Sequence, residues 1–140
     1  MTQRYLCSMG ANIAPEKNFS LAKEQLKDLG RTYFSAARYT QPVAIETEHE
    51  FLNALFIIES SLPAQQLKAK FNAIEEALGR DRSDPRSSEK DRPMDIDILA
   101  EITAELTSAT LDKAWLQVPS YLANLAEELK VTLHNEELIA

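Results

Sequence analysis

Hydrophobic and polar positions change rhythm several times along this chain, and each change marks an element. The short apolar run from Arg4 to Met9 closes on Gly10-Ala11-Asn12, which predicts a strand followed by a turn where glycine or asparagine takes a left-handed backbone. From Ala14 to Leu29 the residues Phe19, Ala22, Leu26 and Leu29 recur at helical spacing, and Gly30 follows as a helix stop. Arg31 to Tyr39 and Phe51 to Glu59 read as strands, the second richer in Leu52, Leu55, Phe56, Ile57 and Ile58. Between them, Thr40 to Glu50 carries Pro42 and the acids Glu46, Glu48 and Glu50, so a long connecting loop is expected instead of a tight turn.

Ser61 and Pro63 announce a second helix, with the proline expected in its first turn, where its missing N–H costs nothing; its buried stripe is Leu67, Phe71, Ile74 and Leu78 and its stop is Gly79. A polar loop runs to Pro93. Beyond it, Met94, Ile96 and Ile98 alternate with Asp95 and Asp97, the pattern of a strand with one face packed and the other free for chemistry. A further helix is expected over Tyr121 to Leu129. The order strand, helix, strand, strand, helix, strand predicts the α+β class: a ferredoxin-like βαββαβ fold, an antiparallel sheet with its helices packed on one face. The opposite face is expected to be open, with loops closing a pocket over it.

Composition narrows this picture. A chain of 140 residues with 44% hydrophobic content buries one proper core, so a single domain over residues 1–140 is expected. A formal net charge of −7 argues against broad binding to nucleic acid, whose phosphates would be repelled over most of the surface. The charge is unevenly placed, because Arg80 to Pro93 holds five basic residues against four acidic ones, a third of all Lys and Arg in fourteen residues. Cys7 has no cysteine to pair with and lies in an apolar run, which fits an inert core thiol and a reducing compartment. The apolar run near the N-terminus is too short for a signal-peptide core and no stretch reaches a membrane span, so a cytoplasmic location is expected.

The candidate chemistry sits around that polar loop. Two residues apart on a strand, Asp95 and Asp97 point to the same face about 7 Å apart and offer two carboxylates to one site. Hard cations such as Mg²⁺ take one or two carboxylates supplemented by phosphate oxygens and water. Asp is depleted in strands, so two of them in one apolar strand ask for a reason, although a solvated edge face would also hold them. Arginines entering and leaving the loop can grip polyphosphate with planar, forked donors, while Arg86, Lys90 and their acidic neighbours read as a solubilising surface.

Gly79-Arg80-Asp81-Arg82, followed by Arg92-Pro93-Met94-Asp95-Ile96-Asp97-Ile98-Leu99, resembles the signature of the 6-hydroxymethyl-7,8-dihydropterin pyrophosphokinase family. Three further segments resemble that family in its order along the chain. They are Ser8-Met9-Gly10-Ala11-Asn12, Arg38-Tyr39-Thr40-Gln41-Pro42 and Phe51-Leu52-Asn53-Ala54. The resemblance implies a ferredoxin-like transferase that moves a pyrophosphoryl group from ATP to the pterin hydroxymethyl group and releases AMP. It implies two Mg²⁺ ions held by Asp95 and Asp97, and a reduced pterin bordered by Phe51, Asn53, Thr40 and Val43. Arg80, Arg82 and Arg92 would hold the triphosphate, with Glu75 near the nucleotide and Arg82 and Arg92 also serving catalysis. The substrates would be small molecules, with neither nucleic acid nor membrane as a partner, and the chain a monomer or homodimer.

Two departures keep other readings open. Glu89-Lys90-Asp91 stands where the family has Trp-Gly-Pro, and after Val118-Pro119 the family's His, and later its Arg and Phe, are replaced by Ser120-Tyr121-Leu122 and a helix. Neither His49 nor His134 falls where the family's histidine would be. A pterin-binding module with weak or no kinase activity would keep Phe51 and Asn53. An unrelated ferredoxin-like interaction domain would instead need an apolar patch on the open sheet face.

Overall fold

In a computed structural model, residues 2–40, 50–80, 92–102, 105–136 and 138 are described. Val43 and Arg82, two of the expected site residues, lie outside them, as does His49. Gln3–Ala11 form strand β1, and Pro15–Lys27 form helix α1. Arg31–Phe34 form β2, Arg38–Thr40 form β3 and Phe51–Ser60 form β4. Ala64–Ala77 form helix α2 and Asp95–Ile102 form β5. The chain then adds helix α3, Ser108–Trp115, a single 3₁₀ turn at Ser120–Leu122, and helix α4, Ala123–Asn135.

The strands pair antiparallel in the order β2-β4-β1-β5, with β3 also on β4, which is the expected ferredoxin-like arrangement. Side-chain alternation then sorts the sheet into two faces. On one, Tyr5, Cys7 and Met9 of β1 lie beside Ile58, Phe56 and Ala54 of β4, and α1 and α2 cover them with Phe19, Leu26, Leu67 and Phe71. Phe56 sits between Phe34, 5.3 Å away between ring centroids, and Phe71, 6.1 Å away edge-on, so an aromatic stack ties strand to helix. Cys7 is buried there without a disulfide, and burial pushes its thiol pKa well up, which leaves it an inert core group.

The other face is covered along part of its length instead of standing open. Leu6, Leu55, Ile57 and Ile102 meet Leu111 and Ala114 of α3 and Leu125, Leu129 and Leu133 of α4. That helical layer stops short of the sheet end where β1 finishes and β4 and β5 begin, and the sheet face there stays accessible.

Three differences from the sequence reading have local causes. Arg31 to Tyr39 is two strands, because three residues, Ser35 to Ala37, face only Ala54 and Leu55, which makes a bulge. Ser35 bridges the gap: its N–H donates to the Leu55 carbonyl at 2.8 Å and its hydroxyl accepts from the Leu55 N–H at 3.0 Å. Pro63 is the residue before the first helical turn of α2, not a member of it. In the C-terminal part, α3 adds a helix to the one expected, started by a reciprocal cap between Thr107 and Thr110, while α4 begins two residues after Tyr121 and runs past Leu129.

Candidate active site

The uncovered end of the sheet forms a pocket whose parts come from every strand near it. Ser8 and Gly10 of β1 and Phe51 and Asn53 of β4 supply the floor, and Thr40 of β3 one side. Asp95 and Asp97 stand on the same face of β5, opposite Gly10 and Ser8, while Ile96 and Ile98 point into the core with Met9 and Cys7. Arg92 closes that side, and Tyr121 and Leu122 of the 3₁₀ turn form the roof. The structure therefore brings together six residues singled out from sequence: Thr40, Phe51, Asn53, Arg92, Asp95 and Asp97.

Local backbone chemistry explains how the arginines reach the carboxylates. Gly79 has φ 108°, a left-handed value that suits glycine, and it ends α2 with the Arg80 N–H on the Glu75 carbonyl at 3.0 Å and its own N–H on Glu76 at 3.0 Å. This reversal carries Arg80 back over its own helix. Its Nη1 donates to Asp95 Oδ1 at 2.9 Å and lies 3.5 Å from Glu75 Oε1, with the side chain 9% exposed. Arg92 is fixed from the other direction by the turn after β1. Its N–H donates to Asn12 Oδ1 at 2.6 Å, and its carbonyl accepts from the N–H groups of Asn12 and Ile13 at 2.9 and 3.2 Å. Arg92 Nη1 then donates to Asp95 Oδ2 at 2.8 Å, so Asp95 is held between two guanidinium groups.

Glu75 is completely buried and does not line the pocket. Its Oε2 accepts from the Ile96 N–H at 2.6 Å, and Lys68, two turns earlier on α2, donates to the Ile96 carbonyl at 2.6 Å. Among the described residues β5 is an edge strand with no strand beside Ile96 on that side, and these two side chains satisfy its backbone groups. Lys68 Nζ also donates to Asp97 Oδ1 at 2.9 Å.

At the other side of the pocket, Asn53 is 7% exposed. Its amide nitrogen donates to the Thr40 hydroxyl and to the Phe51 carbonyl, the latter at 3.4 Å. A Cβ at Gly10 would lie 2.7 Å from Asn53 Oδ1, so the amide keeps this position only because residue 10 has no side chain. The Arg92 guanidinium stands 5.8 Å from the Phe51 ring centroid, which links the aromatic wall to the charged one.

Tyr121 was not singled out from sequence. Its phenol is held above the ordinary range, first by burial and then by Asp95, with Arg92 opposing and Asp97 adding, so at neutral pH it is a protonated donor facing the carboxylates. The one signal available was Pro119, whose fixed φ and carbonyl start the turn by accepting from the Leu122 N–H at 2.9 Å. Lys68 carries no signal in the sequence, because a lysine on a helix surface reads as solvated.

Among the described residues no group of three or more His, Cys, Asp and Glu side chains could hold a metal. Two carboxylates on one strand face do suit a hard divalent cation that arrives with phosphate oxygens and keeps water ligands, as magnesium does. No helix among the described residues is long and apolar enough to cross a membrane.

Known proteins match this chain along most of its length. The model of the 7,8-dihydro-6-hydroxymethylpterin-pyrophosphokinase family matches residues 6–139. A 2-amino-4-hydroxy-6-hydroxymethyldihydropteridine pyrophosphokinase, present in two strains of Porphyromonas gingivalis, is 35% identical over 95 residues. The match covers 66% of this chain and 65% of that relative.

Proposed function

From the premise that this chain belongs to the 7,8-dihydro-6-hydroxymethylpterin-pyrophosphokinase family, whose model spans residues 6–139, we propose that it transfers a pyrophosphoryl group from ATP to 6-hydroxymethyl-7,8-dihydropterin in folate biosynthesis. In this reaction the hydroxymethyl oxygen bonds to the β-phosphorus and the bond from that phosphorus to the α,β-bridging oxygen breaks. AMP leaves with the electron pair, and the hydroxyl proton is lost.

One observation carries the reading. The carboxylates Asp95 and Asp97 share a single pocket with a buried amide, Asn53, and an aromatic wall, Phe51. The amide and the hydroxyl of Thr40 suit the polar edge of a flat heterocycle, and Phe51 suits its face. Arg92 stands between the two halves, where it would meet the phosphates as charge moves onto the bridging oxygen. Arg80 would neutralise charge from behind Asp95, and Tyr121 would add a neutral donor from above. Arg82 and Val43 are proposed for the same site from the family pattern alone, and Glu75 is proposed to act on the nucleotide only through Arg80.

Asp95 and Asp97 would hold two magnesium ions, which when bound would neutralise phosphate charge and acidify the attacking hydroxyl. The chain's own contribution is placement: β5 fixes both carboxylates on one face, and α2 fixes β5.

Calorimetry tests the proposal. The pterin should bind the wild-type protein, and so should a non-hydrolysable ATP analogue with Mg²⁺. Binding of the pterin without the nucleotide would leave a pterin-binding module and sink the kinase reading. In the same experiment Gly10→Ala should weaken pterin binding by about tenfold, because the new methyl displaces Asn53 at the cost expected of overpacking, about 1–3 kcal/mol. Unchanged pterin affinity would remove Asn53 from the ring pocket.

A further inference from the structure

The proposed reaction uses Asp97 as a cation ligand, yet Asp97 already faces a fixed positive charge. Lys68 Nζ lies 2.9 Å from Asp97 Oδ1 and 2.6 Å from the Ile96 carbonyl. The second contact matters most. It holds the ammonium at the strand edge whether or not Asp97 remains its partner, since an edge carbonyl with no neighbouring strand has few other donors. Across the pocket, Asp95 is likewise engaged, by Arg80 and Arg92. Each metal carboxylate is thus neutralised by the chain's own cations.

A free divalent cation entering this site displaces an ammonium that stays close by, and it binds against that repulsion. A cation that enters on a polyphosphate brings negative oxygens of its own. Those oxygens accept from the ammonium, which has three donors and uses two of them here. We infer that Lys68 is a positioning residue that makes the carboxylate pair select a divalent cation arriving with a polyphosphate over the free cation. The inference rests on the magnesium-nucleotide reading above, and its failure is separable from the failure of that reading.

The test is electron paramagnetic resonance of Mn²⁺, which reports free and bound ion without turnover. Wild-type protein should bind Mn²⁺ weakly alone and much more tightly with a non-hydrolysable ATP analogue. Lys68→Met should bind Mn²⁺ alone roughly fivefold more tightly, the size expected from removing a partly exposed ion pair, and should lose affinity for the ion when the analogue is present. Lys68→Gln, which keeps a donor for the Ile96 carbonyl but no charge, should behave like Lys68→Met and covers the case in which the methionine variant fails to fold. Lys70→Met on the same helix controls for net charge and should match the wild type. Equal affinity for Mn²⁺ alone in the wild type and both Lys68 variants, with the ternary complex formed, overturns the role of Lys68 alone. If no variant binds the ion with the analogue, the nucleotide reading itself fails and takes this inference with it.

Discussion

Asp97→Ala is expected to lower kcat/KM for pyrophosphoryl transfer about a thousandfold, the scale seen when a group that stabilises transition-state charge is removed, while the protein stays nearly as stable as the wild type. Asp95→Ala should lose turnover to a similar extent and also lose stability, by about 2–3 kcal/mol. The difference follows from what each carboxylate holds. Asp97 pairs with a lysine whose side chain is 35% exposed, and that lysine keeps its bond to the Ile96 carbonyl when the carboxylate is gone. An ion pair open to solvent contributes little, about 1 kcal/mol or less. Asp95 instead joins Arg80, 9% exposed, to Arg92, 18% exposed, and without it Arg80 Nη1 keeps, among the described residues, only its two longer contacts, to Glu75 and to the Met94 carbonyl, each at 3.5 Å. Thermal unfolding of the two variants beside a steady-state assay separates the effects. Equal stability in both would mean that the arginines do not depend on Asp95 for their placement.

Glu75→Ala is the substitution expected to cost most in stability, about 3–5 kcal/mol, because it leaves a buried backbone N–H without its acceptor and removes the buried carboxylate that faces the Arg80 guanidinium. Glu75 is completely buried and bonded to the Ile96 N–H at 2.6 Å, so its loss frees the edge of β5 at the residue between the two aspartates. Glu75→Gln keeps an acceptor for that N–H and loses the charge facing Arg80, and should fall between wild type and alanine. Urea unfolding measures this, with the midpoint shifting at constant slope. Alanine and wild type within about 1 kcal/mol of each other would contradict the claim that α2 anchors the strand through this carboxylate.

The parts of this molecule that were legible in sequence are those where local pattern and tertiary role coincide. Alternation from Met94 to Ile98 identified the carboxylate face because the same period that buries Ile96 turns Asp95 and Asp97 the other way. Gly79 ended the second helix as expected because a left-handed stop needs glycine whatever surrounds it. Ser35 reads as part of one strand, since nothing local distinguishes a bulge from a continuous pairing. Helix α3 was missed because eight residues carry too few apolar positions to show a period, and its cap uses Thr107 and Thr110 without a glutamate.

Within the site, the unreadable features are the long-range ones. Glu75 lies next to Ile74 at the border of the apolar stripe, and only the packing of α2 on β5 turns it inward to meet the Ile96 N–H. Lys68 reaches Asp97 across 29 positions, and Tyr121 comes to the same carboxylates from the far end of the chain. No spacing rule connects such residues. Family resemblance reached Thr40, Phe51, Asn53 and Arg92, but it found no candidate after Pro119, where the structure places a phenol over the pocket.

The most direct measurement of the central claim follows both phosphorus products while wild-type protein is incubated with ATP, Mg²⁺ and 6-hydroxymethyl-7,8-dihydropterin. Phosphorus NMR should show AMP and a pterin diphosphate rising together in equal amounts, and neither should rise above background with Asp97→Ala. Formation of ADP in place of AMP, or the same background from the wild type and Asp97→Ala, would contradict pyrophosphoryl transfer at this pair of aspartates.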